Sequence, residues 1–200
     1  TKELKVYRDI KVEITFEGGK GYFGEEKYRN IYWEGILTSF LLNYESLPAI
    51  NFSEKNKNTE DGEGDYVIIT LDDNEFLIWA EAIAEFRRKQ GISTCIYTLT
   101  EIGGNTVSAI ETWVDDAYTN WSNPPAAILL LGDYSTGSDG IISHLYEHVS
   151  SYPDFASDNK YADVNGDELP DIAFARITAN NYSELEVMVT KFIDYETNPP

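Results

Sequence analysis

The chain has 200 residues, 42% hydrophobic and 14% aromatic, enough for one packed core with a smaller appended unit and too apolar for a disordered chain. Thirty-five acidic residues against 15 Lys plus Arg leave a formal charge of -20. A field of that sign repels phosphate backbones, which argues against nucleic acid and anionic membrane surfaces as partners and suits a solvated surface or cation binding.

Residues 4–17 alternate, with Val6, Ile10, Val12, Ile14 and Phe16 on one side and Tyr7, Asp9, Lys11, Glu13 and Glu17 on the other. A period of two predicts a half-buried strand, ended by Gly18-Gly19-Lys20-Gly21. From Tyr28 to Tyr44 the apolar positions Tyr28, Ile31, Tyr32, Ile36, Phe40, Leu41 and Tyr44 make one helical face. Residues 53–64 are polar and without period, a linker that divides an N-terminal segment, 1–52, from an α/β unit over 65–200.

Beyond Asp65 the pattern is regular. Tyr66-Val67-Ile68-Ile69-Thr70 reads as a buried strand, and Asp72 with Glu75 stands at capping-box spacing before a helix stopped by Gly91. Residues 92–99 make a second strand, Asn105 caps a second helix, Ala126 to Leu131 is the most apolar strand, and Ile172-Ala173-Phe174-Ala175 is a fourth. Ser183 opens a last helix. Strands alternating with helices over short connections require right-handed crossovers, giving an open, mainly parallel sheet with helices on both faces. In such sheets ligands bind beyond the carboxyl ends of the strands, where Gly132 to Ala162 forms a long connection.

The sharpest local signal is Asp163-Val164-Asn165-Gly166-Asp167-Glu168-Leu169-Pro170-Asp171. Oxygen-bearing side chains at 163, 165, 167 and 171 can converge on one hard cation, and calcium wants roughly six to eight oxygens. The spacing is not that of an EF-hand, since Phe174 stands where the bidentate glutamate belongs. The loop is therefore expected to bind calcium in another geometry, completed by Asp158 or Asp133, the alternative being a solvated acidic turn. Asp133 ends the most apolar strand, as a ligand of the same ion or as a turn cap. His144 and His148 are four apart but lack the His-Glu-x-x-His order and a third ligand, so they read as part of a surface helix rather than a zinc pair.

Cys95 is the lone cysteine, which excludes an internal disulfide, and its mid-strand position reads as structural. No Gly-x-Ser-x-Gly elbow, phosphate loop or dinucleotide fingerprint is present. No stretch of ~18 apolar residues predicts a membrane span, and no basic-then-apolar leader is seen. The chain begins at Thr1 rather than Met, as expected of a trimmed or excerpted product.

Several stretches, in order, carry a resemblance. They are Asp65 to Thr70, Phe86-Arg87-Arg88-Lys89-Gln90-Gly91, Ile102-Gly103, Ile128 to Asp133, Ser157 to Tyr161, Asp163 to Arg176, and Phe192 to Glu196. Together they resemble the first half of the catalytic domain of gingipain-type cysteine peptidases. Residues 1–50 look like the strand-and-helix region that precedes that domain in larger members. The resemblance implies a caspase-like fold of two side-by-side α/β subdomains, a structural calcium ion, and secretion or display on a bacterial cell surface. It also implies that the catalytic histidine, in a Gly-His-Gly context, and the catalytic cysteine lie in the second subdomain. The chain closes at Pro200 before either, and neither His144, His148 nor Cys95 matches those positions. Two functions follow as expectations. One is the first, non-catalytic subdomain of a peptidase, whose partners are the second subdomain and a protein or peptide substrate. The other is a complete binding or scaffold module with a peptidase-like fold.

Overall fold

Residues 5–15, 25–55, 62–147 and 154–199 are described by the computed structural model. In chain order the helices are α1 (Ile31–Phe40), α2 (Phe52–Lys55), α3 (Asn74–Lys89), α4 (Val107–Asn120), α5 (Asn159–Ala162) and α6 (Tyr182–Thr197). The strands are β1 (Tyr66–Thr70), β2 (Thr94–Thr98), β3 (Ala127–Leu131), β4 (His144–Tyr146), β5 (Phe155–Ser157) and β6 (Ala173–Ile177).

Four strands form one sheet in the order β2-β1-β3-β6, parallel throughout, with Tyr66 opposite both Thr94 and Ala127, and Ala127 opposite Ala173. The continuous apolar runs of β1 and β3 are explained by their central places: Val67, Ile68, Ile69, Leu130 and Leu131 are fully buried between helices. Side chains alternate across a strand, so Tyr66 and Tyr97 point to opposite faces of the register. The Arg87 guanidinium of α3 lies 5.1 Å from the Tyr66 ring, whereas Trp113 of α4 lies 4.7 Å from Tyr97. Helices α3 and α4 therefore cover opposite faces. Helix α6 shares the α3 face, since Phe86 meets Phe192 edge-on at 6.1 Å and Arg87 forks onto Glu196.

Gly91, at φ +84°, terminates α3 as expected. Three caps differ from the sequence reading by one or two positions. Asp73, not Asp72, accepts the N–H groups of Glu75 and Phe76. Thr106 caps α4 in place of Asn105, and Asn181 caps α6 in place of Ser183. Asp72 instead accepts the Thr100 N–H, and Asn105 is drawn away to the 137–142 loop.

The N-terminal strand is a correction. The described part, residues 5–15, forms no strand, and Val6, Ile10, Val12 and Ile14 are 77%, 79%, 71% and 68% exposed. Phe16, Glu17 and the glycine run lie outside the described residues. Alternation supplies a face, but a strand also needs a neighbour for its backbone groups. The helix expected over 28–44 is shorter, as α1 flanked by single 3-10 turns at Glu26–Tyr28 and Tyr44–Ser46.

Residues 25–55 are fastened to the amino end of the sheet. Tyr28 stacks on Tyr118 at 4.8 Å, and Lys27 donates to the Thr119 carbonyl. Lys55 returns to donate to the carbonyls of Lys27 and Arg29. Within this unit the buried Arg29 pairs with Glu34, which also accepts the Tyr44 hydroxyl, and donates to the Pro48 carbonyl.

Candidate functional site at the carboxyl edge of the sheet

The carboxyl ends of β3 and β6 carry the densest polar system of this edge. Strand β6 sits at the sheet border, and Arg176, near its carboxyl end, turns its guanidinium toward the connection that leaves β3. Nε and Nη2 form a fork onto Asp158, at 2.9 and 2.8 Å. Nη1 donates to the carbonyls of Gly132 (3.0 Å), Asp133 (3.3 Å) and Ile141 (3.0 Å), and Nη2 to that of Ile142 (3.4 Å). Ser143 adds a hydroxyl bond to Asp158 at 2.7 Å. The arginine and aspartate side chains are only 10% and 19% exposed.

The backbone folds tightly around this point. Ile141 N–H returns to the Asp133 carbonyl, and a Cβ at Gly140 would stand 2.5 Å from that same oxygen. Only glycine fits there. The Asn105 side chain ties the loop to the start of α4 by donating to Gly137 and Gly140 and accepting from Ile142 N–H. Beside it, a cleft of about 290 Å³ opens at the carboxyl ends of β1 and β2, lined among others by Leu71, Asp72, Asp73, Leu99, Thr100 and Ser138.

Of the six residues expected to ligate calcium, Asp158 serves Arg176, and Asp133 spends its carboxylate on Tyr134 N–H and the Asn180 amide. Asp163, Asn165, Asp167 and Asp171 belong to one loop, but their oxygens face backbone donors. Asp163 accepts the N–H groups of Gly166, Asp167 and Glu168, and Asp171 those of Val164 and Asn165. Asn165 accepts from Asp167, and Asp167 from Leu169. These are Asx-type turns, in which the side chains order the loop's own backbone. Among the described residues no group of three or more Asp, Glu, His or Cys side chains is arranged to hold a metal ion. As placed, the six do not converge on one ion.

His144 belongs to strand β4, paired with β5, rather than to a helix. Its ring lies 4.8 Å from Tyr161 and its Nε2 3.7 Å from Glu111; burial lowers its pKa, with Glu111 opposing. His148 lies outside the described residues. Cys95 stands in mid-strand on β2, where burial pushes its thiol up to about 12. At neutral pH it is a thiol and a poor nucleophile, in keeping with a structural role.

Sequence reasoning passed over Arg176 and Asn105 as builders of this edge. A charged residue inside the run Ala-Phe-Ala-Arg-Ile was the available signal for the first. The second gave none, because its partners lie 32 to 37 residues away.

No helix among the described residues is long and apolar enough to cross a membrane. No curated protein matches the chain. Its fold is similar to three solved structures. One, a protease, is 19% identical over 70% of this chain and 30% of that chain, with a TM-score of 0.53. The Arg-specific cysteine proteinase gingipain R (RGPB) is 20% identical over 68% and 29%, at 0.51. A complex of the pro- and mature domains of Porphyromonas gingivalis RgpB is 19% identical over 64% and 28%, at 0.52. This chain thus spans less than a third of each of those chains. The family model of peptidase family C25 matches residues 59–200, from within the polar linker through α6, and the chain therefore belongs to this family of gingipain-type cysteine peptidases.

Proposed function

We propose that this chain is the structural first subdomain of a secreted or surface-displayed cysteine endopeptidase, with the catalytic cysteine and histidine supplied by a second subdomain. The observation that carries this reading is the state of the only cysteine. A cysteine peptidase attacks a peptide carbonyl with a thiolate, and burial holds Cys95 as a thiol within β2. What the 65–200 unit contributes is a sheet whose carboxyl edge would form part of a cleft wall, and a border strand, β6, which among the described residues pairs with β3 alone.

The 200-residue chain alone is expected to hydrolyse no peptide. Its thiol is expected to react with alkylating reagents far more slowly in the folded than in the unfolded chain, because burial both raises its pKa and limits access. Turnover by the chain alone that disappears in Cys95→Ala would overturn the reading. Absence of turnover, with activity restored by adding the downstream half, supports it over a self-sufficient scaffold module.

Calcium is a separable part of the proposal. Binding at Asp163 to Asp171 requires carboxylate lone pairs not taken up by the loop's N–H groups to turn toward one ion. A rise in Tm in millimolar calcium over chelator, lost in Asp163→Ala, supports binding there. An unchanged Tm assigns the loop to its own hydrogen bonds and leaves the peptidase reading untouched.

A further inference from the structure

We propose that Arg176 is the positioning residue of the carboxyl edge, its guanidinium standing where a bound cation would and ordering the connection after β3 without a metal ion. The six oxygens around it come from three separate segments: Gly132 and Asp133, Ile141 and Ile142, and both carboxylate oxygens of Asp158. Six oxygens are the lower limit of what calcium gathers. Their formal charge is a single negative one, from Asp158, and one guanidinium neutralises it. A divalent ion in the same cradle would leave a positive charge uncompensated in a mostly buried place.

The donors match as well. A guanidinium has five N–H groups in a fixed plane. Nε and one Nη2 N–H take the carboxylate, the other Nη2 N–H takes Ile142, and the two on Nη1 are shared among three carbonyls. All five are used. Because arginine does not titrate in the range where proteins fold, its own charge is constant, and no metal ion is needed to hold the edge while Asp158 is ionised. A lysine brings one ammonium with three donors and cannot span the same oxygens. The inference concerns local order in this chain, so it stands apart from whether the chain belongs to an active peptidase.

The test is amide hydrogen exchange on the 200-residue chain, comparing wild type, R176A and R176K in chelator, in millimolar calcium and in millimolar methylguanidinium. In the wild type, residues 132–143 should be equally protected in chelator and calcium. In R176A the amides of Asp133 and Ile141 should exchange at least about tenfold faster while β1 and β3 keep their protection. Methylguanidinium should restore protection in R176A by refilling the cradle, and R176K should fall between the two. Loss of wild-type protection in chelator would assign the ordering to a metal and overturn the proposal. So would R176A or R176K exchanging like the wild type. If R176A does not fold, the chelator comparison on the wild type and the R176K comparison decide alone.

Discussion

At the amino end of the sheet, Arg29 pairs with Glu34, five residues away, and donates to the Pro48 carbonyl, nineteen away. At the carboxyl end, Arg176 reaches back 18 residues to Asp158 and 44 to Gly132. Both guanidiniums are mostly buried and both are matched to one carboxylate. The first clasp closes within a single short stretch and needs no sheet. The second exists only after β3 and β6 have been brought side by side, so it reports on assembly of the whole α/β unit. Loop closure costs more as the loop lengthens, although slowly, so the two differ less in closure than in what each depends on.

The contrast can be broken most forcefully at Asp158. Removing one partner of a buried pair strands the other charge, and Asp158→Ala is expected to cost about 3 kcal/mol in urea unfolding of the whole unit. A loss below about 1 kcal/mol would mean the four carbonyls suffice to hold Arg176. Glu34→Gln should cost less, about 2 kcal/mol, and the loss should be confined to residues 25–55, with exchange at Leu47 faster and β1 unchanged.

Acid tests the same clasp. Burial pushes Glu34 up, but the hydrogen bonds from Arg29 and Tyr44 outweigh it and hold the carboxyl below its ordinary 4.5. A depressed pKa in the folded state means that the stabilisation is present above 4.5 and is lost as pH falls through the folded value. Exchange at Leu47, relative to its intrinsic rate, should therefore rise as pH falls below 4.5, ahead of β1. Global unfolding at the same pH would show that the amino clasp is not local. The smallest effect belongs to the α3 cap. Asp73→Ala should cost about 1 kcal/mol, and Asp72→Ala distinctly less, in thermal unfolding.

That last pair measures how far the sequence could be read. The sheet was legible because β1 and β3 are apolar on both faces and the helices between them repeat at 3.6 residues. Caps were misassigned by one or two positions because Asp72-Asp73 and Asn105-Thr106 place two competent residues side by side. Only the tertiary partner decides which one turns inward: Thr100 claims Asp72, and the 137–142 loop claims Asn105. The β4–β5 pair was read as loop or helix, since strands of three residues carry too little periodicity to detect. Residues 5–15 have a strong period and no strand, the opposite failure. In the acidic loop, composition points to a cation, and it carries no sign of the backbone N–H groups that Asp163, Asp167 and Asp171 accept within their own turns.

The targets of Arg176 carry a consequence for how this edge can change over generations. Apart from Asp158, it grips carbonyl oxygens, which every residue type possesses. Side chains between Tyr134 and Asp139 can therefore be rewritten without touching the guanidinium contacts, provided that Gly140, the length of the turn and the Ser135–Asp139 hydrogen bond that closes it are kept. A surface that varies freely over a fixed backbone suits diversification, whether by natural drift or by grafting new recognition sequences onto this connection.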